Sequence, residues 1–287
     1  IGQILPHKND STSDLIRRAD LALYEAKNAG RDCVRIWNSN MSKKLESDNI
    51  EIEKVKKLQR KVAGLSEKSE QIFIQSIWSL VRTLEAKDTY TKKHSENVTM
   101  YAVGIAEALN MSSRQIETIQ RAAMLHDIGK IGIPDAILSK PARLTPRESQ
   151  VVEQHPVIAV RILSKMSFLK SELRIIKHHH EKWNGQGYPD GLASNSIPLG
   201  SRILAVADTL DALTSERPYH NPRTVCQALE ILNNSSGYEF DAKVIEALMI
   251  WTDSLAKKKD PPGELTTEDL RDSQLFVAEP EPVSAAT

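Results

Sequence analysis

The sequence predicts an all-α core that is preceded by a short α/β segment. Over about residues 71–251, apolar side chains recur at helical spacing, and short loops rich in Gly and Pro join the helical stretches. The same span has no convincing run of alternating apolar and polar residues, which is the pattern of a half-buried strand. Histidines recur on the predicted inward faces of these helices. The core is therefore expected to be a helical bundle that carries a functional site.

The composition excludes several classes of protein. Lys plus Arg equals Asp plus Glu at 38 each, so the chain lacks the basic excess of proteins that bind DNA through its phosphates. Cys33 and Cys226 lie far apart in unrelated contexts, which argues against a disulfide framework or a cysteine zinc site. No apolar run approaches the roughly 18 to 20 residues that span a bilayer, and no signal peptide is recognisable. We expect a cytoplasmic protein with no membrane segment in this chain.

Residues 1–38 form the α/β segment. The stretch "STSDLIRRADLALYEAKN" predicts an amphipathic helix from Ser11 to Asn28, which Gly30 ends. The following "DCVRIW" has strand character. So short a unit cannot bury its own apolar face, so we expect it to be the end of a domain that begins upstream of Ile1.

Residues 39–72 are predicted to form a charged helical linker. Its apolar residues follow a seven-residue pattern that Ser69 interrupts: Val55, Leu58, Val62, Leu65 and Ile72. Two interpretations stay open. The helix either pairs with a copy of itself in a homodimer or lies, solvated, along its own domain.

Residues 73–256 are assigned to the helical domain and residues 257–287 to a tail. The tail has lost helical periodicity and contains four prolines, and we expect it to be mostly disordered.

His94 and His155 are predicted to face the core. Apolar residues follow His94 at helical spacing. His155 is placed on a helix that begins with a capping box from Thr145 to Glu148, and it continues the apolar face of Val152.

The triplet in "KHHHEKWNGQGYPDG" divides by periodicity. His179 and His180 lie one turn beyond apolar residues that include Ile176, so they are expected to face inward. His178 aligns with Arg174 and is expected to face outward. Glu181 is expected to support the site through hydrogen bonds.

Carboxylates accompany the inward histidines. His126 continues an apolar stripe and has Asp127 beside it, and Gly129 is expected to let that helix stop. Asp208 lies one turn after Leu204 on another apolar helix.

A single inward histidine is more often a hydrogen-bonded core residue than a metal ligand, but five with two carboxylates favour metal. Imidazoles buried without partners would cost stability, whereas a metal would satisfy their ring nitrogens. A His and Asp set without thiolates suits iron, manganese or another borderline divalent ion. Two ions roughly 3.5 to 4 Å apart can share a bridging carboxylate, and two ions are better supported here than one.

Three motifs carry a family resemblance. They are "HDIGKIGIPDAILSKPARLT", "HHHEKWNGQGYPDGL" and "RILAVADTLDALTSERPYH". They resemble, in order and spacing, the signatures of the HD-GYP family, a branch of the HD metal-dependent phosphohydrolases that hydrolyses the bacterial second messenger cyclic di-GMP. The resemblance covers about residues 73–251 and implies the HD-domain helical bundle. Separately, "LIRRADLALYEAKNAGRDCVRI" resembles the end of a GGDEF diguanylate-cyclase domain, whose active-site loop would lie upstream of Ile1.

The resemblance implies roles for individual residues. Asp127 would be catalytic as the bridging ligand, and Lys130 would lie near the scissile phosphate. Arg217 would hold a ligand phosphate, with Tyr188 and His220 as further substrate contacts. The implied metal ligands are His94, His126, Asp127, His155, His179, His180 and Asp208. By itself, Lys130 is equally explained as a cation that favours a helix dipole, and Arg217 as a surface ion pair.

Three positions depart from the family pattern. Tyr90 stands where some members have a Glu that helps bind a third metal, so we predict a two-metal site. His220 replaces a common Arg or Lys after "RPY", which would weaken one phosphate contact or make it pH-sensitive. Ser194 stands where Gly is frequent, which would alter loop shape more than chemistry.

The resemblance implies a phosphodiesterase in second-messenger signalling. A hydroxide bridging the two metals would cleave cyclic di-GMP to pGpG, and a second cleavage would give GMP. Two other functions stay open. One is a low-activity cyclic di-GMP receptor, or a module that docks GGDEF-domain proteins through the GYP loop, in which Gly185, Gly187 and Pro189 would hold Tyr188 at the site rim. The other is an HD phosphohydrolase that acts on another nucleotide.

Overall fold

The structure is a computed structural model that describes residues 2–3, 11–87, 93–140, 142–216, 221–259 and 264–271, without the side chains of 2–3, 42–52 and 84–87. By packing, the chain divides into two compact units, Ile1–Gln71 and Ile72–Thr287. Within the described residues, no helix is both long enough and apolar enough to cross a membrane.

The first unit contains a small parallel sheet and two helical segments. Strand β1 (Gly2–Gln3) pairs with β2 (Arg35–Ile36), and α1 (Thr12–Asn28) lies between them in the chain. Ser11 caps α1 by accepting a hydrogen bond from the backbone N–H of Asp14. Gly30, at φ +104°, follows the end of α1, as the sequence predicts. The helix and strand of this segment are confirmed, and its GGDEF origin stays a prediction.

The predicted linker is helical. Helix α2 begins at Ser39 and runs to Lys87, beyond the predicted end of the linker. Four residues of the seven-residue pattern each expose at least half of their surface, a costly arrangement for apolar side chains in water: Val55, Leu58, Val62 and Leu65.

The second unit is all-α in its described residues, apart from isolated bridges. Besides the last part of α2, its helices are α3 (His94–Ala108), α4 (Ser113–Leu125), α5 (Asp135–Leu138), α6 (Pro146–Val152), α7 (His155–Leu163), α8 (Lys170–Lys177), α9 (Leu199–Thr214), α10 (Val225–Asn234), α11 (Ala242–Lys258) and α12 (Thr267–Arg271), with short 3-10 turns at Ile128–Gly132, Ser167–Leu169 and Ser194–Ser196. The predicted fold class is confirmed for this unit.

Helix α3 is the centre of the packing. It contacts α4, α9 and α11, and α4 in turn packs on α8. Gly104 of α3 lies so close to the indole of Trp251 that a Cβ at this position would overlap the ring. Because α3 is held on several sides, its first residue, His94, has a well-defined place in the core.

The prediction of a disordered tail from residue 257 is wrong for its described part. Helix α11 continues to Lys258, and α12 packs against α3 and α11. Leu270 of α12 is fully buried in the core. No sequence pattern predicts α12, because a five-residue helix with one buried apolar residue shows no periodicity. Residues 272–287 lie outside the described residues.

Candidate metal centre

The structure brings the seven predicted ligand residues together from five places in the chain. They lie at the start of α3, the end of α4, the start of α7, the turn after α8 and the middle of α9. Three groups have candidate ligand atoms within 4.8 Å of one another: His94, His126 and Asp208; His155, His179 and His180; and His126, Asp127 and His179. This spacing allows divalent ions to be held among them.

His126 is oriented by the end of its helix. Helix α4 ends at Leu125 with His126 as its C-cap, so Gly129 does not end it, contrary to the prediction. The Nδ1–H of His126 donates to the carbonyl of Ala123 at 2.7 Å, which leaves Nε2 buried with no hydrogen-bond partner. A buried acceptor without a partner is costly, and a metal ion would satisfy it.

Gly129 instead permits a close contact of two backbones. A Cβ on Gly129 would fall on the carbonyl oxygen of His155 and within 2.7 Å of the backbone nitrogen of Ala159. The turn that carries Asp127 can therefore lie directly against the start of α7. This contact holds Asp127 Oδ1 at 3.4 Å from His155 Nε2.

His155 begins its own helix, which corrects the prediction that it continues the preceding one. Helix α6 starts with the predicted capping box of Thr145 and Glu148 but ends at Val152. Pro156 has no N–H to donate to the carbonyl of Val152, so the helix cannot run on. The Nδ1–H of His155 donates to that carbonyl at 2.8 Å instead. The interruption that proline causes thus turns His155 Nε2 toward the centre.

His179 and His180 follow the end of α8 in a turn. The prediction derived their inward orientation from helical periodicity, but the turn is what orients them. His179 donates from Nδ1 to the carbonyl of Ile176 at 2.6 Å. Burial and the neighbouring His180 hold the pKa of His179 well below its ordinary value, and burial lowers the pKa of His180 to about 4. Both imidazoles are therefore neutral at pH 7 and can act as ligands.

Two buried imidazoles face each other with lone pairs. Because Nδ1 of both His155 and His179 donates to a carbonyl, both Nε2 atoms are acceptors, and they lie 3.4 Å apart. Two acceptors cannot hydrogen-bond to each other. A cation between them removes this conflict, so the residues fit a metal ion.

His94 is held by a carboxylate that the sequence analysis missed. Its Nδ1–H donates to Oδ2 of Asp211 at 2.7 Å, and its Nε2 lies 3.5 Å from oxygens of both Asp127 and Asp208. Asp211 follows Asp208 by three residues, which places both on one face of α9. That spacing is the signal that could have identified Asp211.

Opposing charges stabilise one another in the centre. Burial by itself lowers the pKa of His94, but hydrogen bonds with Asp127 and Asp211 outweigh it and raise the pKa to about 10. A metal ion that binds Nε2 of His94 would therefore replace a proton. Burial raises the pKa of Asp127, yet His126 and Lys130 hold it well below its ordinary value. Asp127 is therefore anionic and can serve as a charged ligand.

The remaining predicted residues lie beside the centre, turn away from it or fall outside the described residues. The Nζ of Lys130 lies 2.5 Å from Asp127 Oδ2. Tyr188 packs on the ring of His180, with ring centroids 4.9 Å apart. His178 turns away from the centre and its Nε2 lies 3.0 Å from Oδ2 of Asp190. Three positions lie outside the described residues: Tyr90, Arg217 and His220.

The loop after the triplet is organised by a buried carboxylate. Glu181 accepts hydrogen bonds from the backbone N–H groups of Asp190 and Leu192 at 2.8 and 3.0 Å. Gly187 does not have a positive φ, and it lets the chain approach the backbone of Lys182, where a Cβ would overlap. Positive φ occurs at Gly185, Gly191 and Ser194. Ser194 at φ +51° therefore occupies a conformation that favours glycine.

The fold and the site define an all-α domain with a buried His and Asp centre that can hold metal ions. The HD domain family matches residues 79–244, more than half of the chain, and the chain belongs to this family.

Curated relatives extend the comparison. The cyclic di-GMP phosphodiesterase of Thermotoga maritima is 40% identical over 68% of this chain and 55% of its own length. A cyclic di-GMP phosphodiesterase response regulator of Xanthomonas campestris is 38% identical over 71% of this chain and 54% of its own length. The 3′3′-cGAMP-specific phosphodiesterase 2 of Vibrio cholerae is 31% identical over 86% of this chain and 46% of its own length. The chain thus spans about half the length of the curated relatives it matches.

We predict that Gly129→Ala weakens metal binding about tenfold or more, because backbone atoms of His155 and Ala159 cannot yield to the new methyl group. Gly132→Ala is the matched control. Its Cβ would meet only the side chain of Ile158, at 3.0 Å, which can shift. Titration of both metal-free variants with Mn²⁺ measures the difference, and equal affinities would contradict the prediction.

Proposed function

We propose that the centre holds two divalent ions, iron or manganese. One would lie among His94, His126 and Asp208, and the other among His155, His179 and His180. Asp127 would contact both, because its Oδ2 faces His94 and His126 while its Oδ1 faces His155. The facing Nε2 lone pairs of His155 and His179 are the observation that most supports this proposal.

The proposed activity is hydrolysis of cyclic di-GMP. Divalent ions supply a water of lowered pKa and neutralise phosphate charge when they are bound. Lys130 would donate from Nζ to a non-bridging phosphate oxygen, since its side chain is 35% exposed beside Asp127. Such a cation stabilises charge that develops in the transition state. Cleavage of one phosphodiester bond gives pGpG, and cleavage of the second gives GMP.

Substrate contacts are proposed on the rim of the centre. Tyr188 lies on the loop beside His180. Its side chain is only partly buried, and the exposed part of its ring would contact an incoming nucleotide. Burial raises the pKa of Tyr188, which keeps its hydroxyl protonated at neutral pH. Arg217 and His220 would add phosphate contacts.

We also propose that the reaction takes place in the cytoplasm. The free cysteines Cys33 and Cys226 agree with such a reducing compartment.

We expect Asp127→Ala to abolish both metal binding and cyclic di-GMP turnover, because it removes the carboxylate shared by both ions. Lys130→Met should keep metal binding but lower kcat about 100-fold or more. Exposed Asp135 supplies the control, and Asp135→Ala should change neither quantity. Metal content and hydrolysis are measured after anaerobic loading with Fe²⁺ or Mn²⁺. Full activity of Asp127→Ala would overturn the proposal.

A second candidate substrate is 3′3′-cGAMP, because three relatives from Vibrio cholerae are named for it. Assay of cyclic di-GMP, 3′3′-cGAMP and linear dinucleotides with one metal-loaded preparation ranks the substrates by kcat/KM. A higher value for 3′3′-cGAMP would replace cyclic di-GMP as the proposed substrate.

The alternative to an enzyme is a binding module that takes cyclic di-GMP or docks a GGDEF-domain protein through the loop with Tyr188. Under this alternative, Tyr188→Ala would weaken binding of a GGDEF partner while wild-type protein shows no metal-dependent turnover. The proposed enzyme should instead lose turnover in this variant. Parallel measurement of hydrolysis and partner binding separates the two.

We also propose that α2 forms a homodimer through its exposed apolar face. Leu58 and Leu65 lie on this face, which follows the spacing of a two-stranded coiled coil. Leu58→Glu with Leu65→Glu should shift the protein to monomers in sedimentation. Arg60→Glu introduces the same charge on the opposite face of the helix and should leave the dimer intact. A wild-type monomer at all concentrations would exclude this proposal.

A further inference from the structure

A chain of hydrogen bonds connects the C-terminal helix α12 to the metal centre. The Nε–H of Arg271 donates to Oδ1 of Asn97 at 3.2 Å, and the Nδ2–H of Asn97 donates to Oδ1 of Asp211 at 2.7 Å. Oδ2 of Asp211 accepts from His94 at 2.7 Å. Two side chains, Asn97 and Asp211, thus connect Arg271, the last described residue, to His94.

The direction of each bond is determined by chemistry. An Asn side chain has a donor end and an acceptor end, which can exchange by a flip of the amide. Arg271 can only donate, and Asp211 accepts from both Asn97 and His94, so Arg271 and Asp211 together favour one orientation of Asn97. Without Arg271, the acceptor end of Asn97 loses its partner, and Asp211 alone holds the amide in this orientation.

Asp211 is a buried carboxylate that accepts hydrogen bonds on both of its oxygens. It is 1% exposed, and Oδ1 also accepts from the Ser215 hydroxyl at 2.9 Å. A buried carboxylate with three donors has little freedom to rotate. Its position determines where His94 can point Nε2, which lies 3.5 Å from both Asp127 and Asp208.

Helix α12 is itself anchored, so Arg271 is held in place. Leu270 is fully buried in the core. Thr266 and Asp269 form a capping box at the start of α12, and Lys259 Nζ donates to Asp269 at 2.6 Å. These contacts define which face of α12 meets α3.

We propose that α12 is a positioning element of the metal centre, in which Arg271 acts through Asn97 and Asp211 to hold His94 in the orientation that binds metal. The inference rests on the proposed two-ion centre. It concerns the ion among His94, His126 and Asp208, and not the ion among His155, His179 and His180. Loss of Arg271 should therefore weaken one binding step and spare the other.

The test is a titration of metal-free full chain with Mn²⁺, followed by the electron paramagnetic resonance signal of the free ion. His94→Ala and His155→Ala assign the two binding steps. Asp211→Asn should weaken the step assigned to His94 roughly 10- to 100-fold, the usual effect of losing a partner of a metal-bound histidine. Arg271→Ala should weaken the same step about three- to tenfold, and Arg271→Lys should restore part of the affinity.

A double-variant comparison separates positioning from general destabilisation. If Arg271 acts only through Asn97, Arg271→Ala with Asn97→Ala should bind no more weakly than Asn97→Ala alone. Arg114→Ala, in an exposed arginine at the start of α4, should leave both steps unchanged. The inference is overturned if Arg271→Ala weakens neither step or both steps equally, or if the two substitutions add. Since the titration contains no nucleotide, a failure of the proposed hydrolysis leaves its result unaffected.

Discussion

Hydrogen bonds from Nδ1 of the buried histidines determine the rest of the site. In His126, His155 and His179, this nitrogen donates to a backbone carbonyl three residues earlier. The bond selects the tautomer in which Nε2 is an acceptor and orients the ring against its own backbone. The converging Nε2 atoms are therefore a consequence of how three helices end or begin. The fold thus creates converging acceptors that a metal ion can satisfy together.

Three carboxylates complete the centre, and they occupy two kinds of position relative to the imidazoles. Asp127 and Asp208 lie among the imidazoles, whereas Asp211 lies behind His94 and holds its outer nitrogen. Lys130 at the rim compensates Asp127. Burial of several charged groups is tolerated because each carboxylate has at least one positive or hydrogen-bonding partner.

Close backbone contacts set the dimensions of the centre. Gly129 lets the turn after α4 touch the start of α7, and Gly187 lets the loop after the triplet fold back on Lys182. In both places a side chain would force two segments apart, and the ligands on them would separate. Gly129 and Gly187 permit two backbone segments to approach closely, whereas Gly30 and Gly185 permit a positive φ. The two uses cannot be told apart in a sequence, where each is only a glycine near a predicted turn.

The helical class, the inward orientation of His94 and His126 and the capping box from Thr145 to Glu148 follow from the sequence alone, because each depends on residues within one or two turns of one another. The turn after α8, and not helical periodicity, points His179 inward and His178 away from the centre. Only the tertiary structure showed that His155 starts its own helix, that Asp211 holds His94 and that Arg271 reaches Asn97 from the segment expected to be disordered. These contacts join residues that are up to 174 positions apart. Helical spacing predicts which residues share a face of a helix. It does not predict which other helix packs against that face, because that depends on residues far away in the sequence.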